Sequence, residues 1–575
     1  MIGGLLSLAG IVALWRSWLR PHRFWPGLIL GWGLIAAALP FWARRFGADR
    51  GAAMAILAVS LIGLVLIALT NRRTGPDRPA TGGGALPKVD WRWLIVFLLA
   101  GPAGLALSIG GELLYAAHGP GPQVDRLVFG LLLTPCFWAL AMILAASDYR
   151  RRFVAALLHS HSVLGLAFSA VLYLVCLSGM VTVFAHDIDR WRESAWPTYQ
   201  RLSPEAIDRA AHAAFDLHPK APRLFLVLPT GPAPHMTILT GDQEYRTDEE
   251  GDILGPAPKG WGEFVTDLHV RLHVKGIWGV SLVGLCGVGL TALIISGLLA
   301  HPRIFRDAFR WRRGGNLRTA RADLHNRIGV WGAPLFLALA LSGAFLGLAQ
   351  LLLPANADAL LYGKAPVPSE EAAPLADLTG PLKFMAATHP DDVPHYAEID
   401  APGTVAQAIR LYYVPPDRLV YSERYDFDAS GKLTSTLGMK DGEIGRQVFA
   451  SLYPVHFGSF GGGWMRVIYG LLGLGLSAVC ASGVDIWLAR KKISGWPARV
   501  WPGVAWGVPA LLTLTMLTVP SPFLFWGGLA VLLAVLAAAK SWSAAKITRT
   551  LRAVTAFLLI AAFGVLVRSA LFVPI

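Results

Sequence analysis

One stretch of this chain occurs twice, in register. Leu158-His159-Ser160-His161-Ser162-Val163-Leu164-Gly165 opens an apolar run that reaches Ser178-Gly179, and Leu324-His325-Asn326-Arg327-Ile328-Gly329 opens another that reaches Ser342-Gly343. With His161 set on His325, a Gly four residues on and a Ser-Gly pair at 17 and 18 residues coincide in the two copies. At about 3.6 residues per turn this spacing is close to five whole turns, so each His shares a helix stripe with its distal Gly. The nearer Gly lies on almost the same stripe. A His beside a missing side chain suits a flat macrocycle lying close to the backbone. The register extends further, with offsets of 164 for Gly179/Gly343, 180 for Asp248/Asp428, 187 for His269/His456 and 186 for Gly297/Gly483. One longer loop in the second copy accounts for the change. Such an internal duplication constrains the fold more than any single motif.

The repeated runs are long enough to decide the solvent. The 575 residues are 54% hydrophobic and only 15% charged, and several runs exceed the roughly 20 apolar residues that cross a bilayer. The expected fold is an all-α polytopic membrane bundle of about 11–12 transmembrane helices, with a small α+β unit inserted in each copy of a duplicated core. Residues 1–147 contribute about five spans (2–15, 24–42, 51–70, 93–115 and 126–147). Residues 148–300 and 301–492 are the two repeats, each with two spans, and 493–575 closes the chain with about three. The net charge of +14 invites a nucleic-acid reading, but its distribution reports topology instead. Segment 301–328 carries eight Arg against two Asp, whereas 186–268 and 354–455 each carry fourteen acids against eight Lys and Arg. Basic short loops stay in the cytosol, so 301–328 and the basic linker 71–92 read as inside and the two acidic segments as outside. The Arg44-Arg45 loop falls outside in this scheme, against the rule.

Each outside segment reads as a small α+β unit. Ser203-Pro204-Glu205 starts a helix with a capping Ser and Pro at the first helical position. Strand-like runs follow at 222–229 and 234–240, then the Asp248-Glu249-Glu250-Gly251 turn. In the second unit a helix at 377–388 precedes runs at 393–400, 405–414 and 418–427 and the Asp428-Ala429-Ser430-Gly431 turn.

Titratable groups inside membrane segments are costly, which makes intramembrane histidines functional candidates. His161 and His325 lie at the inner ends of their helices. His269 and His456 stand 28 and 27 residues before the Ser-Gly pairs at 296–297 and 482–483, near the outer surface. His159 is out of register with His325, and His273, one turn after His269, competes with it. His186 and His301 read as interfacial. His212, His218, His235, His389 and His395 fall in the outside units, and Glu112 and His118 are the polar candidates of the early spans. The sequence has no Cys-x-x-Cys-His, His-Glu-x-x-His or Gly-x-Gly-x-x-Gly, and Cys136, Cys176, Cys286 and Cys480 lie unpaired in apolar runs. Zinc would want further ligands near either His pair. Two imidazoles on opposite faces of a planar ring match bis-His haem, with two sites at different depths forming an electron path. Arg152, Arg321 and Arg327 inside, and Arg271, Lys275 and Arg466 outside, are candidate partners for haem propionates. Gly165 and Gly329 are the close-approach positions beside the inner pair.

These residues resemble the PepSY-associated transmembrane family, which includes ferric-siderophore reductases of the bacterial inner membrane. The resemblance rests on the His-x-x-x-Gly helix starts at 161 and 325, and on Leu268-His269-x-x-Leu272 with Gly276 and Gly279. Tyr453-Pro454-Val455-His456-Phe457-Gly458, the Ser-Gly helix ends and the Asp-x-x-Gly turns also match. It covers about 150–492. It implies two bis-His haem b groups and one-electron transfer across the inner membrane, with the acidic loops in the periplasm. It points more weakly to reduction of a ferric siderophore or other Fe(III) chelate. The donor stays open among quinol, reduced flavin and a separate reductase. Two other classes compete: a non-enzymatic regulator or sensor binding a periplasmic protease or peptide, and a transporter built on internal repeats.

Overall fold

The computed structural model describes residues 2–19, 24–69, 72–73, 122–148, 151–192, 199, 201–230, 234–240, 243–257, 259–301, 304, 312–313, 317–353, 357–363 and 369–571. The chain opens with helices α1 (Ile2–Leu19), α2 (Phe24–Phe46) and α3 (Ala48–Leu69), a short strand β1 (Arg72–Arg73) and α4 (Gln123–Ala146). The first repeat starts with α5 (Phe153–Thr182), α6 (Ala185–Arg192) and α7 (Pro204–Leu217). Strands β2 (Arg223–Val227), β3 (Thr237–Thr240), β4 (Gln243–Thr247) and β5 (Ile253–Pro256) follow, then α8 (Trp261–Arg271) and α9 (Ile277–Leu299). The second repeat starts with β6 (Arg312–Arg313), α10 (Leu317–Leu352), α11 (Ala357–Tyr362) and α12 (Thr379–Thr388). Strands β7 (Val393–Asp400), β8 (Ala408–Val414), β9 (Glu423–Phe427) and β10 (Leu433–Thr436) lead to α13 (Ile444–Phe457) and α14 (Gly462–Lys491). Helices α15 (Trp496–Leu517), α16 (Pro522–Ala538) and α17 (Ala544–Leu571) complete it.

This is a polytopic helical membrane protein with a small α+β part. Among the described residues eight helices are long and apolar enough to span a bilayer, and Ile2–Arg16 and Pro522–Ala538 are shorter apolar helices. The expected span at 93–115, with Glu112 and His118, lies outside the described residues, as does most of linker 71–92.

The repeats meet where side chains are small. A Cβ on Gly347 of α10 would stand 2.5 Å from the Gly284 Cα of α9, and one on Gly287 would stand 2.7 Å from the Ala344 backbone nitrogen. Ala340, Ala344 and Gly347 follow one stripe, the small-residue pattern that lets helices close on each other without a hydrophobic driving force.

The two outside units are not separate, as the sequence reading had them. They form one eight-stranded sheet, ordered β10-β9-β8-β7-β2-β3-β4-β5. Its centre is the antiparallel pair of the two first strands, with Arg223 opposite Asp400 and Val227 opposite Tyr396. The reason is edge pairing: each unit alone would expose the main-chain groups of its first strand, and each covers the other's. Alternation then places Leu224, Leu226, Ala397, Ile399, Ile409 and Leu411 on one face, against α7 and α12. Strands β4, β5 and β10 had no sequence signal of their own. The expected turns form: Asp248 Oδ1 accepts from the amides of Glu250 and Asp252, and Asp428 Oδ1 from those of Ser430 and Lys432. Ser203 accepts from the Ala206 amide at 3.1 Å as the predicted cap.

The turn between α2 and α3 lies at the sheet end of the bundle. Asp49 Oδ2 accepts from the Arg418 guanidinium at 3.1 Å and the Leu419 amide at 2.8 Å. At the opposite end β1 pairs in parallel with β6, joining linker 71–92 to the Arg-rich segment between the repeats.

Candidate functional site

Four histidines meet in two pairs. The His161 and His325 ring centres are 6.3 Å apart with planes crossed at 87°, and those of His269 and His456 are 6.1 Å apart with planes within 25°. Each pair takes one ring from each repeat. Helix α5 carries His161 at one end and Gly179, which packs against His269, 18 residues later, so the pairs lie about 27 Å apart along the helix. The His269/His456 pair is at the sheet end.

One device, used four times, fixes each ring. His161 Nδ1 donates to the Leu293 carbonyl at 3.0 Å and lies 3.2 Å from Ser296 Oγ. His325 Nδ1 reaches Ser482 Oγ at 3.2 Å, and His456 Nδ1 reaches Ser342 Oγ at 2.9 Å. His269 Nδ1 donates to the Val175 carbonyl at 2.9 Å, three residues before Ser178. Ser296, Ser342 and Ser482 donate their own protons to carbonyls of their helices, so toward the rings they accept. Carbonyls only accept. The proton therefore sits on Nδ1 and leaves Nε2 as the ligating nitrogen, the arrangement outer partners impose on metal-bound His.

The Gly after each Ser supplies the space. A Cβ on Gly179 would come within 2.6 Å of His269 Cε1, and one on Gly343 within 2.9 Å of His456 Cε1. At Gly297 and Gly483 the approaches to His161 and His325 are 3.1 and 3.4 Å. This corrects the sequence reading: the distal Gly does not serve the His of its own helix. It receives a His carried by another helix of the same repeat. The reach of His269 and His456 is corrected too. They do not extend outward on the spanning helices, because left-handed backbone at Leu272 and His273 ends α8, and positive φ at Gly458, Gly461 and Gly462 separates α13 from α14. The short helices fold back and bring their histidines onto Gly179 and Gly343.

Two imidazoles sharing a metal through Nε2, each at about 2.0 Å with its ring centre about 1.1 Å behind, stand about 6.2 Å apart. Both pairs have this spacing. Among the described residues no group of three or more His, Cys, Asp or Glu is arranged to hold an ion, so the donor set suits a ligand that supplies its own equatorial donors. Beside the His161/His325 pair a Cβ on Gly329 would meet nothing within 4 Å, and one on Gly165 only Leu293 at 3.8 Å. That open space fits a flat macrocycle.

His273 is occupied: Nε2 donates to the Phe264 carbonyl at 2.9 Å, Nδ1 accepts from the Trp526 indole at 3.2 Å, and the ring packs on Phe264. His159, two residues before His161, is about 200° away around α5. The nearby cations separate. Arg327 is 2% exposed and donates at 2.9 Å to Nε2 of His301, which lies half-buried just past the end of α9. Arg271 pairs with Asp267 at 2.8 Å, Arg321 with Asp485 at 3.5 Å, and Arg466 with Asp187, while Arg152 and Lys275 are exposed. Of the sheet-unit histidines, His212 lies beside Asp208, His218 bonds Tyr245, His235 faces Arg246, His389 lies near Asp392 and His395 stacks on Tyr396. All four cysteines are free.

Sequence reasoning missed Asp189 and Asp125. Asp189 on α6 accepts from the Gly262 amide at the start of α8, at 2.9 and 3.1 Å through its two oxygens. Asp125 on α4 accepts from the Gly445 amide at the start of α13. The signal available was a Gly opening each helix.

Among known proteins, the chain is 32% identical over 258 residues to the uncharacterised protein PA4219 of Pseudomonas aeruginosa, an alignment covering 40% of this chain. It spans 64% of that relative's length. The profile of the PepSY-associated TM region matches residues 158–490, which hold all four paired histidines and the whole sheet. The chain belongs to the PepSY-associated TM region family.

Proposed function

We propose that the protein holds two b-type haems, one between His161 and His325 and one between His269 and His456, and conducts electrons across the membrane. The carrying observation is the double pair: two ring-to-ring separations of 6.3 and 6.1 Å, close to the spacing of two imidazoles on one metal. Haem would supply a one-electron couple at each depth. The chain supplies the rest. Its helix carbonyls three residues before each Ser-Gly pair (Val175, Leu293, Leu339 and Val479) hold the protons on Nδ1, its glycines leave room for the rings, and its helices set the two sites at opposite ends of a roughly 30 Å hydrocarbon layer.

With two imidazoles of the chain holding each group, the metal would offer no place for a substrate, and the chemistry the group would supply is outer-sphere electron transfer. A ferric siderophore or other Fe(III) chelate suits such outer-sphere reduction, because Fe(II) binds hard oxygen ligands less tightly. The charge split supports an orientation with the sheet in the periplasm of a Gram-negative inner membrane and 301–328 in the cytosol. Quinol, reduced flavin and a separate reductase fit equally as donor.

Pyridine haemochrome analysis with a dithionite-reduced minus oxidised spectrum tests the reading. The expected result is about two low-spin haem b per chain. Protein expressed with ample haem supply that contains none overturns it, and leaves the regulator and transporter classes standing.

A further inference from the structure

The outer histidines ride on short helices that cross no bilayer, so something else must fix where those helices sit. Helix α8 has 11 residues and α13 has 14. The second residue of each is a glycine whose amide is bound by a carboxylate from a different helix: Gly262 by Asp189 of α6, and Gly445 by Asp125 of α4. The approach is close. A Cβ on Gly262 would stand 2.3 Å from Asp189 Oδ2, and one on Gly445 would stand 2.5 Å from Asp125 Cα. His269 follows its anchored glycine by seven residues and His456 by eleven, near two and three whole turns, so ligand and anchor share a helix face.

We infer that Asp189 and Asp125 are positioning residues of the outer site, clamping the N-termini of α8 and α13 so that His269 and His456 face each other. This rests on the reading of those histidines as a ligand pair. A carboxylate at a helix N-terminus satisfies an orphan amide and complements the helix dipole, and an anchor on another helix also fixes rotation and depth. The clamps are asymmetric in origin. Asp189 belongs to the first repeat, whereas Asp125 comes from the helix before the duplicated core. That gives α4 a function: its apolar stripe (Val124, Leu127, Val128 and Leu131) packs with Val448, Phe449 and Leu452 of α13, with Asp125 at one end. Helix α6 is tied in turn to α14 through Asp187 and Arg466.

The test is on full-length protein. Asp125→Ala should make the 444–457 amides exchange about five- to tenfold faster, with 261–271 unchanged. It should convert at least half of the outer low-spin signal to a form that binds carbon monoxide, leaving the inner signal intact. Asp125→Asn keeps an accepting oxygen and should restore both readouts. Asp189→Ala should do the same at 261–271. If Asp125→Ala fails to accumulate, Asp189→Ala, which leaves the packing of α4 on α13 untouched, carries the test. Wild-type outer signal and wild-type exchange in these variants overturn the clamp while two haems remain. Wild-type protein without haem overturns the parent reading, and the clamp with it.

Discussion

The glycine after each serine is where a single methyl group tells the sites apart. Gly179→Ala and Gly343→Ala place a Cβ within 2.6 and 2.9 Å of an outer histidine ring. Each should lower haem from about two per chain to about one, read by haemochrome analysis. Gly483→Ala, whose Cβ would stand 3.4 Å from His325 Cε1, an ordinary van der Waals contact, should keep both. Ser342→Ala removes one of the two acceptors facing His456, leaving the Leu339 carbonyl, and should weaken retention of the outer haem by roughly 10-fold, the low end for loss of a partner behind a ligand. His269→Ala should match His456→Ala, whereas His273→Ala should leave both haems in place, since both its nitrogens are already bonded. Ring orientation makes a spectroscopic difference. Planes crossed at 87° and planes within 25° split the iron d orbitals differently, so frozen oxidised protein should show two low-spin electron resonance signals. The inner should be strongly anisotropic and the outer rhombic. A single uniform signal would contradict the two geometries.

Among the helices, the crossing of α9 and α10 ties the sites together. Helix α9 carries Ser296-Gly297, the seat of His161, and α10 carries both His325 and Ser342-Gly343, the seat of His456. Gly347→Val would drive a side chain into the Gly284 backbone at a cost of roughly 1–3 kcal/mol or more. Since α10 serves both depths, the expected outcome is loss of both haems together. Gly564→Val on α17, where a Cβ meets nothing within 4 Å, should keep both and serves as the control.

At the scale of the whole molecule the two copies of the core pair at three levels: β2 with β7 in the sheet, His269 with His456, and His161 with His325, so each site takes one ring from each repeat. Separate depths predict separate losses. His325→Ala should remove the inner haem and block reduction from the cytosolic side, while dithionite still reduces the outer one. His456→Ala should leave the inner haem reducible by the physiological donor but abolish reduction of the external acceptor. Should both variants lose the same single haem, the pairing is wrong. Phosphatase fusions at the sheet loops should be active and those within 301–328 inactive; activity in the latter reverses the proposed orientation.

The membrane bundle, the duplication, the candidate histidines, the helix caps and the Asp-Gly turns were legible in the sequence, because each rests on local periodicity or on spacing along one helix. His161 and His325 stood out through register alone. Which groups face each ring was not legible. The partner of His269 is Gly179, 90 residues away, brought there by a helix break at Leu272 and His273 whose positive φ has no glycine to announce it. The joining of two small units into one sheet is a pairing between distant edges, equally silent in composition. Sequence spacing reports what shares a helix stripe; which stripe meets which is decided by close packing of small residues between helices, a property of pairs that neither strand of the sequence carries by itself.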